Sequence, residues 1–231
     1  MTAPPQAAGS GEAADRLVRC GIGFSGLVVA TKLHLPEDAP ALHLLQPGFI
    51  GRRNVTLLKI VSMGHPVLRR LADPVADPED PEIARLAADM IETMRDAPGI
   101  GLAAPQIYRP LRLIVFEVPA ARQEEGEPPA PDGPTVLVNP EIVPLDEETV
   151  VGLEGCLSIP GFRGLVPRWR RIGYRALGLD GKVIEREAEG LHARVVQHEV
   201  DHLDGVLYLD RLRDLNDLAS DSEARYLTDR V

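Results

Sequence analysis

His198-Glu199-Val200-Asp201-His202 is the stretch of this 231-residue chain best equipped for chemistry. On a helix of 3.6 residues per turn, two histidines four apart share a face and can hold one metal ion. The glutamate between them can handle protons for a metal-bound water. Leu191 and Val195 lie on the same face and extend it as an apolar stripe, so the histidines point into the protein. An ordinary amphipathic helix with two unconnected histidines is the alternative. The paired spacing, the intervening glutamate and the apolar face favour the metal.

Two imidazoles do not hold a catalytic metal securely, so a third ligand is required. Cys156 is the candidate. It follows Gly155 and precedes Pro160, which predicts a bend that presents the thiol and leaves the Leu157 N–H outside a sheet ladder. On residue chemistry alone, an inert buried thiol and a nucleophile remain open for it. Gln106 closes the small-residue run Gly99-Ile100-Gly101-Leu102-Ala103-Ala104-Pro105 and reads as a side-chain hydrogen-bond donor. That run lacks the lysine of a phosphate-binding loop.

The elements that must position these residues follow from local pattern. Asp80, Pro81 and Glu82 predict a helix start. Ile83, Leu86, Met90, Ile91 and Met94 give that helix an apolar face, and Ala97-Pro98-Gly99 ends it. Strands are expected at 57–61, 111–118, 136–139, 149–153, 163–166, 171–179 and 182–187, with a hairpin turn at Asp180-Gly181. Residues 99–106 read as a loop and 123–133 as an exposed acidic insertion. The motif helix should end near Gly205, with 206–209 extended and a last short helix over 214–227. Trp169 among Arg168, Arg170 and Arg171 reads as a solvated turn with one packed ring. His192 receives no role.

Composition sets outer limits. A hydrophobic content of 44% supports a sizeable core, and a formal charge of -10 argues against a broad nucleic-acid surface. Cys20 and Cys156 give no disulfide framework, which fits a reducing compartment. No apolar run approaches a membrane span, and no secretory signal is evident. We therefore expect no direct DNA binding, no membrane association and a cytoplasmic location. Residues 1–54 read as a weakly ordered extension whose acidic residues argue against an organellar address. Residues 55–212 read as the catalytic domain and 213–231 as an acidic tail.

Three segments in order, Gly99–Gln106, Glu154–Pro160 and Gln197–Gly205, resemble the peptide deformylases. The resemblance spans roughly 55–212. It implies an α+β fold, with antiparallel strands wrapped around a central metal-binding helix. It implies a bacterial-type enzyme that hydrolyses the N-formyl group from the formyl-methionine of newly synthesised polypeptides, releasing formate, with transient proximity to the ribosome. By resemblance, Cys156, His198 and His202 bind the metal, usually Fe2+, with Zn2+, Ni2+ or Co2+ able to replace it. Glu199 is then the general base and acid, and Gln106 and the Leu157 N–H steady the oxyanion. Ile100, Gly101, Leu191 and Val195 form the methionine pocket, and Arg163 assists the peptide.

Two rivals remain at this level. A metallopeptidase of the pattern His-Glu-x-x-His-x-x-Gly would need a third histidine where this chain has Tyr208, or a downstream glutamate such as Glu223. A non-catalytic metal-stabilised protein would need neither Glu199 nor Gln106.

Overall fold

Asp80 and Pro81 start the first helix as their chemistry requires. In the computed structural model, which describes residues 55–123 and 126–229, the Asp80 carboxylate accepts the Glu82 N–H at 2.8 Å. The helix α1 runs Pro81–Asp96. Met90 and Met94 are fully buried core residues. Expectations placed on 1–54 lie outside the described residues.

The run expected as a loop instead contains a short strand, β1 (Gly101–Ala103), followed by a 3-10 turn, Ala104–Ile107. Pairing decides this: Gly101 lies opposite Phe116 and Ala103 opposite Ile114 on β2 (Leu113–Phe116). β3 (Thr135–Pro144), β6 (Arg171–Leu177) and β7 (Val183–Glu189) complete a five-stranded antiparallel sheet in the order β1-β2-β3-β6-β7. β4 (Thr149–Cys156) and β5 (Ile159–Trp169) start a second sheet.

Both faces of β2 are covered, which is why Leu113-Ile114-Val115-Phe116 is continuously apolar. Leu113 and Val115 pack with Met90 and Met94 of α1. Ile114 and Phe116 pack with Ala193, Val196, Val200 and Leu203 of the motif helix α2, Gly190–Leu203. Since α2 touches strands of both sheets, the molecule is α+β with antiparallel strands around the motif helix, as expected.

Gly205 ends α2 for a definable reason. Its φ of 73° is left-handed, the Val206 N–H donates to Asp201 O at 2.8 Å, and the Gly205 N–H to His202 O at 3.4 Å. These two bonds satisfy the last helical carbonyls. A Cβ at Gly205 would also come within 2.8 Å of Arg69 backbone.

Three segments differ from expectation. Residues 57–61 join no ladder. Leu58 N donates to the Thr93 hydroxyl at 2.9 Å and Val61 N to Gln106 O at 2.8 Å, so the chain is extended but held by side chains and a turn. Residues 206–209 enter a 3-10 turn, Tyr208–Arg211, in place of an extended run. Within 214–227, the chain makes β8 (Leu218–Ser220), which pairs with Phe162–Gly164 of β5, before a one-turn helix α3, Arg225–Thr228. An exposed partner edge on β5 outweighs the weak helical pattern of this acidic stretch.

His192 is 1% exposed and lies between Phe116 and Tyr174, with ring centroids 5.5 and 5.6 Å away. Burial, aided by Arg186, pushes its imidazole down to about 4. The native state therefore holds His192 neutral while the unfolded chain takes up a proton near pH 6.5. The stability that neutral His192 contributes is present above that pH and is lost as pH falls toward 4. Denaturant unfolding at pH 7 and pH 4.5 should show His192→Leu removing about 2–3 kcal/mol of the acid-induced loss. Equal losses in wild type and variant would contradict this assignment.

Candidate metal centre

The three proposed ligands come from two elements that the fold brings together. Cys156 is the last residue of β4, and His198 and His202 lie on α2. One ligand atom from each lies within 4.8 Å of the others. Cys156 Sγ is 3.2 Å from His202 Nε2. The His198 and His202 rings stand edge-on, 5.0 Å apart. The bend expected after Gly155 is a two-residue turn: Cys156 pairs with Ile159, which takes Leu157 out of the ladder.

His198 is oriented from behind. Its Nδ1 is 2.8 Å from Glu154 Oε2, leaving Nε2 for a ligand, and this is the usual way a carboxylate fixes a metal-binding imidazole. Burial works against a charge on His198, but Cys156 and Glu154 beside it outweigh burial and hold it well above the ordinary imidazole value. His202 has no carboxylate at its ring among the described residues, and burial, with His198 and Arg168 nearby, holds it well below. Its Nδ1 finds no hydrogen-bond partner among the described residues. A thiol and two imidazoles at this spacing fit a divalent transition-metal ion with one position left open.

Behind the proposed ligands lies a buried ionic network that sequence reasoning missed. Arg168 donates from Nε to Glu154 Oε1 at 2.9 Å and from Nη2 to Glu154 Oε2 at 3.0 Å, and its Nη1 meets Asp201. It is 5% exposed, so the solvated-turn reading of this residue is wrong. Trp169 beside it is 38% exposed. Period-two alternation held the signal: on β5, Arg168 shares a face with buried Val166. Asp201 also accepts from Arg211 Nη2 at 2.7 Å, and Glu154 from Arg194 Nη1 at 2.8 Å. Burial alone would raise the Glu154 pKa; Arg168 and His198 reverse that and hold it well below the carboxylate range. Gln197 ties α2 to β5, accepting the Trp169 N–H at 3.1 Å and donating to Trp169 O at 2.9 Å. It braces the helix against β5.

Gln106 accepts the Ala103 N–H at 2.8 Å, which aims its Nε2 at Ser158 Oγ, 3.2 Å away, and Cys156 Sγ, 3.5 Å away. Glu199 is 4% exposed. Burial is the main cause pushing its carboxyl up to about 7, and one of its oxygens has no partner among the described residues. A cleft of about 440 Å³ opens over these groups. It is lined by Cys156, His198, Glu199, Gln106 and Leu157, and by all five expected substrate residues: Ile100, Gly101, Arg163, Leu191 and Val195. His202 lies behind them, 1% exposed.

Tyr208 stands where a metallopeptidase of the alternative pattern would place its third histidine. It stacks on His198 at 6.2 Å and 23°, outside the Cys156-His198-His202 set. Glu223 follows β8 and is exposed.

Gly101 shows how tightly Glu199 is seated. A Cβ there would overlap the Glu199 carboxylate. With Glu199 as the proposed general base, Gly101→Ala should therefore lower kcat/KM about 10²-fold, since small misplacement of a reacting group costs that much. Steady-state kinetics check it; an unchanged rate would show that Glu199 has slack.

Comparison with known proteins gives a consistent picture. A family model described as Polypeptide deformylase matches residues 57–217. Peptide deformylase 1 of Bordetella pertussis is 54% identical over 157 residues, covering 68% of this chain and 88% of the relative. A peptide deformylase of Bradyrhizobium diazoefficiens is 48% identical over 161 residues, covering 70% and 90%. The crystal structure of peptide deformylase from Thermotoga maritima superposes with a TM-score of 0.62 at 40% identity, covering 69% of this chain and 99% of that one. A class I type b peptide deformylase from Acinetobacter baumannii, solved with Met-Ala-Ser bound, gives a TM-score of 0.60 at 35% identity, covering 68% and 99%.

Proposed function

The chain belongs to the peptide deformylase family, and from that premise we propose how its own residues divide the work and which metal they hold. The enzyme removes the N-formyl group from the terminal formyl-methionine of new polypeptides, with a divalent ion at its Cys-His-His site. In the proposed assignment Cys156, His198 and His202 are the ligands, and the ion is Fe2+, with Zn2+, Ni2+ and Co2+ as replacements. A thiolate and two imidazoles suit all four, so the choice of iron rests on the family resemblance.

Held by Cys156, His198 and His202, a divalent ion would supply the Lewis acidity that lowers the pKa of water and polarises a carbonyl. Glu199, buried against Gly101, takes the water's proton and later delivers it to the leaving amine. Formate and a free amino terminus result. The Gln106 amide, already turned toward Cys156, and the Leu157 N–H donate to the oxyanion. Ile100, Gly101, Leu191 and Val195 receive the methionine side chain, and Arg163 lies along the peptide. The Acinetobacter relative was solved with a peptide that begins with methionine, the kind of product proposed here.

The observation that carries this reading is the meeting of two imidazoles and one thiol within 4.8 Å, with the Glu199 carboxylate buried on the same helix. We place the reaction in the bacterial cytoplasm, on N-formylmethionyl nascent chains near the ribosome. Among the described residues no helix is long and apolar enough to cross a membrane. Purification without oxygen, elemental analysis and formate release before and after exposure to air test the metal. Iron, with activity lost in air and retained by the nickel-loaded protein, is expected. An air-stable native zinc enzyme of equal activity would refute iron.

A further inference from the structure

We propose that Asp221 sets the charge preference of the cleft by pairing with Arg163, where the residues after the formyl-methionine leave the site. The inference rests on the deformylase reading above and adds a specificity determinant from outside the three motif segments.

Asp221 stands next to Arg163 because of a strand pairing. β8 lies on β5 with Ser220 opposite Phe162 and Ala219 opposite Arg163, and Asp221 follows directly. Arg163 Nε donates to Asp221 Oδ1 at 2.7 Å, and both side chains are about half exposed. Both line the cleft that contains Cys156, His198 and Glu199.

Gly155 fixes where the guanidinium lies. A Cβ at Gly155 would come within 2.8 Å of Arg163 Nη1 and 2.9 Å of Cζ. The guanidinium therefore rests against the backbone immediately before the ligand Cys156. A peptide whose formyl end reaches Cys156 and His198 must pass this cation as it leaves.

The other charges of the cleft do not compete equally. Arg194 is engaged by Glu154 and by the carbonyls of Val150 and Val166. Glu154 and Glu199 are buried, leaving Arg122, Arg163 and Asp221 to meet the outgoing peptide at the rim. With Asp221 in place, an acidic side chain meets a guanidinium that already has a carboxylate partner. Without it, the guanidinium offers a planar fork that matches a carboxylate. Asp221 thus holds down the preference for acidic residues after methionine.

The test is kcat/KM for formate release at low salt from formyl-Met-Ala-Ala, formyl-Met-Asp-Ala and formyl-Met-Ala-Asp. Metal-loaded wild type, Asp221→Asn, Arg163→Gln and the double variant are compared. Each acidic-to-neutral ratio is internal to one protein, so a general loss of activity cancels. Asp221→Asn should raise that ratio about three- to fivefold for at least one acidic peptide, the size expected of an exposed pair. The gain should shrink at ~0.5 M salt and vanish when Arg163→Gln is added. An unchanged ratio, or a gain that persists without Arg163, overturns the proposal. Failure of metal-loaded wild type to release formate from the neutral peptide would overturn the deformylase reading itself, a different result from an unchanged ratio.

Discussion

Glu199→Gln should leave a folded protein that keeps its metal and releases formate from a formyl-methionyl peptide about 10³-fold more slowly. The substitution is close to isosteric, so the packing of α2 and the closeness to Gly101 persist while the base is lost. The size follows from what a positioned base contributes to proton transfer, and the environment is tuned for it. Burial pushes the Glu199 carboxyl up to about 7, so near neutral pH it can both accept and return a proton. Glu199→Asp keeps the charge but draws it back by one methylene, and should lie between wild type and Glu199→Gln. Formate release together with metal analysis of each variant checks this. A fully active Glu199→Gln would remove the base from the account and revive the non-catalytic alternative.

Arg168→Met should cost about 3–5 kcal/mol of stability, because it leaves buried carboxylates short of a partner. Glu154 would keep Arg194 and His198, and Asp201 would keep Arg211. Both carboxylates are about 5% exposed, with values of 5% and 6%, so water cannot replace the lost guanidinium. In a domain of this size the midpoint of thermal unfolding should fall by roughly 6–20 °C. Metal affinity should fall as well, since Glu154 orients His198, and such supporting partners are worth about 10- to 100-fold. Adding Glu154→Gln to Arg168→Met removes one stranded charge and should recover part of the stability. A loss below about 1 kcal/mol would show that the network is no stronger than an exposed ion pair.

These two residues mark what the sequence made legible and what it did not. Glu199 lies within a short motif whose spacing is meaningful on any helix, and α2 needed only its apolar stripe to be placed. Asp80 and Pro81 announced α1 in the same local way. Cys156 lies on another element, and only three segments taken together, through the family resemblance, tied it to the histidines. Arg168 was missed because its charge and its neighbours Arg170 and Arg171 suggested solvent, while its meaning depends on Glu154 and Asp201 converging from β4 and α2. β8 was missed for the same reason: Leu218–Ser220 is a strand only because Phe162–Gly164 offers it an edge. Residues 57–61 had a strand's composition but meet Thr93 and Gln106 in place of a ladder. Local chemistry was readable from sequence, whereas groups that act through distant partners were not.

The most direct measurement of the central claim is metal content and formate release for Cys156→Ala beside wild type, both purified without oxygen. The account predicts about one divalent ion per wild-type chain, as a single three-ligand site requires, with both the ion and formate release lost from the variant. A variant that keeps its ion and still deformylates the peptide at the wild-type rate, releasing formate, would contradict Cys156 as a ligand and the site built around it.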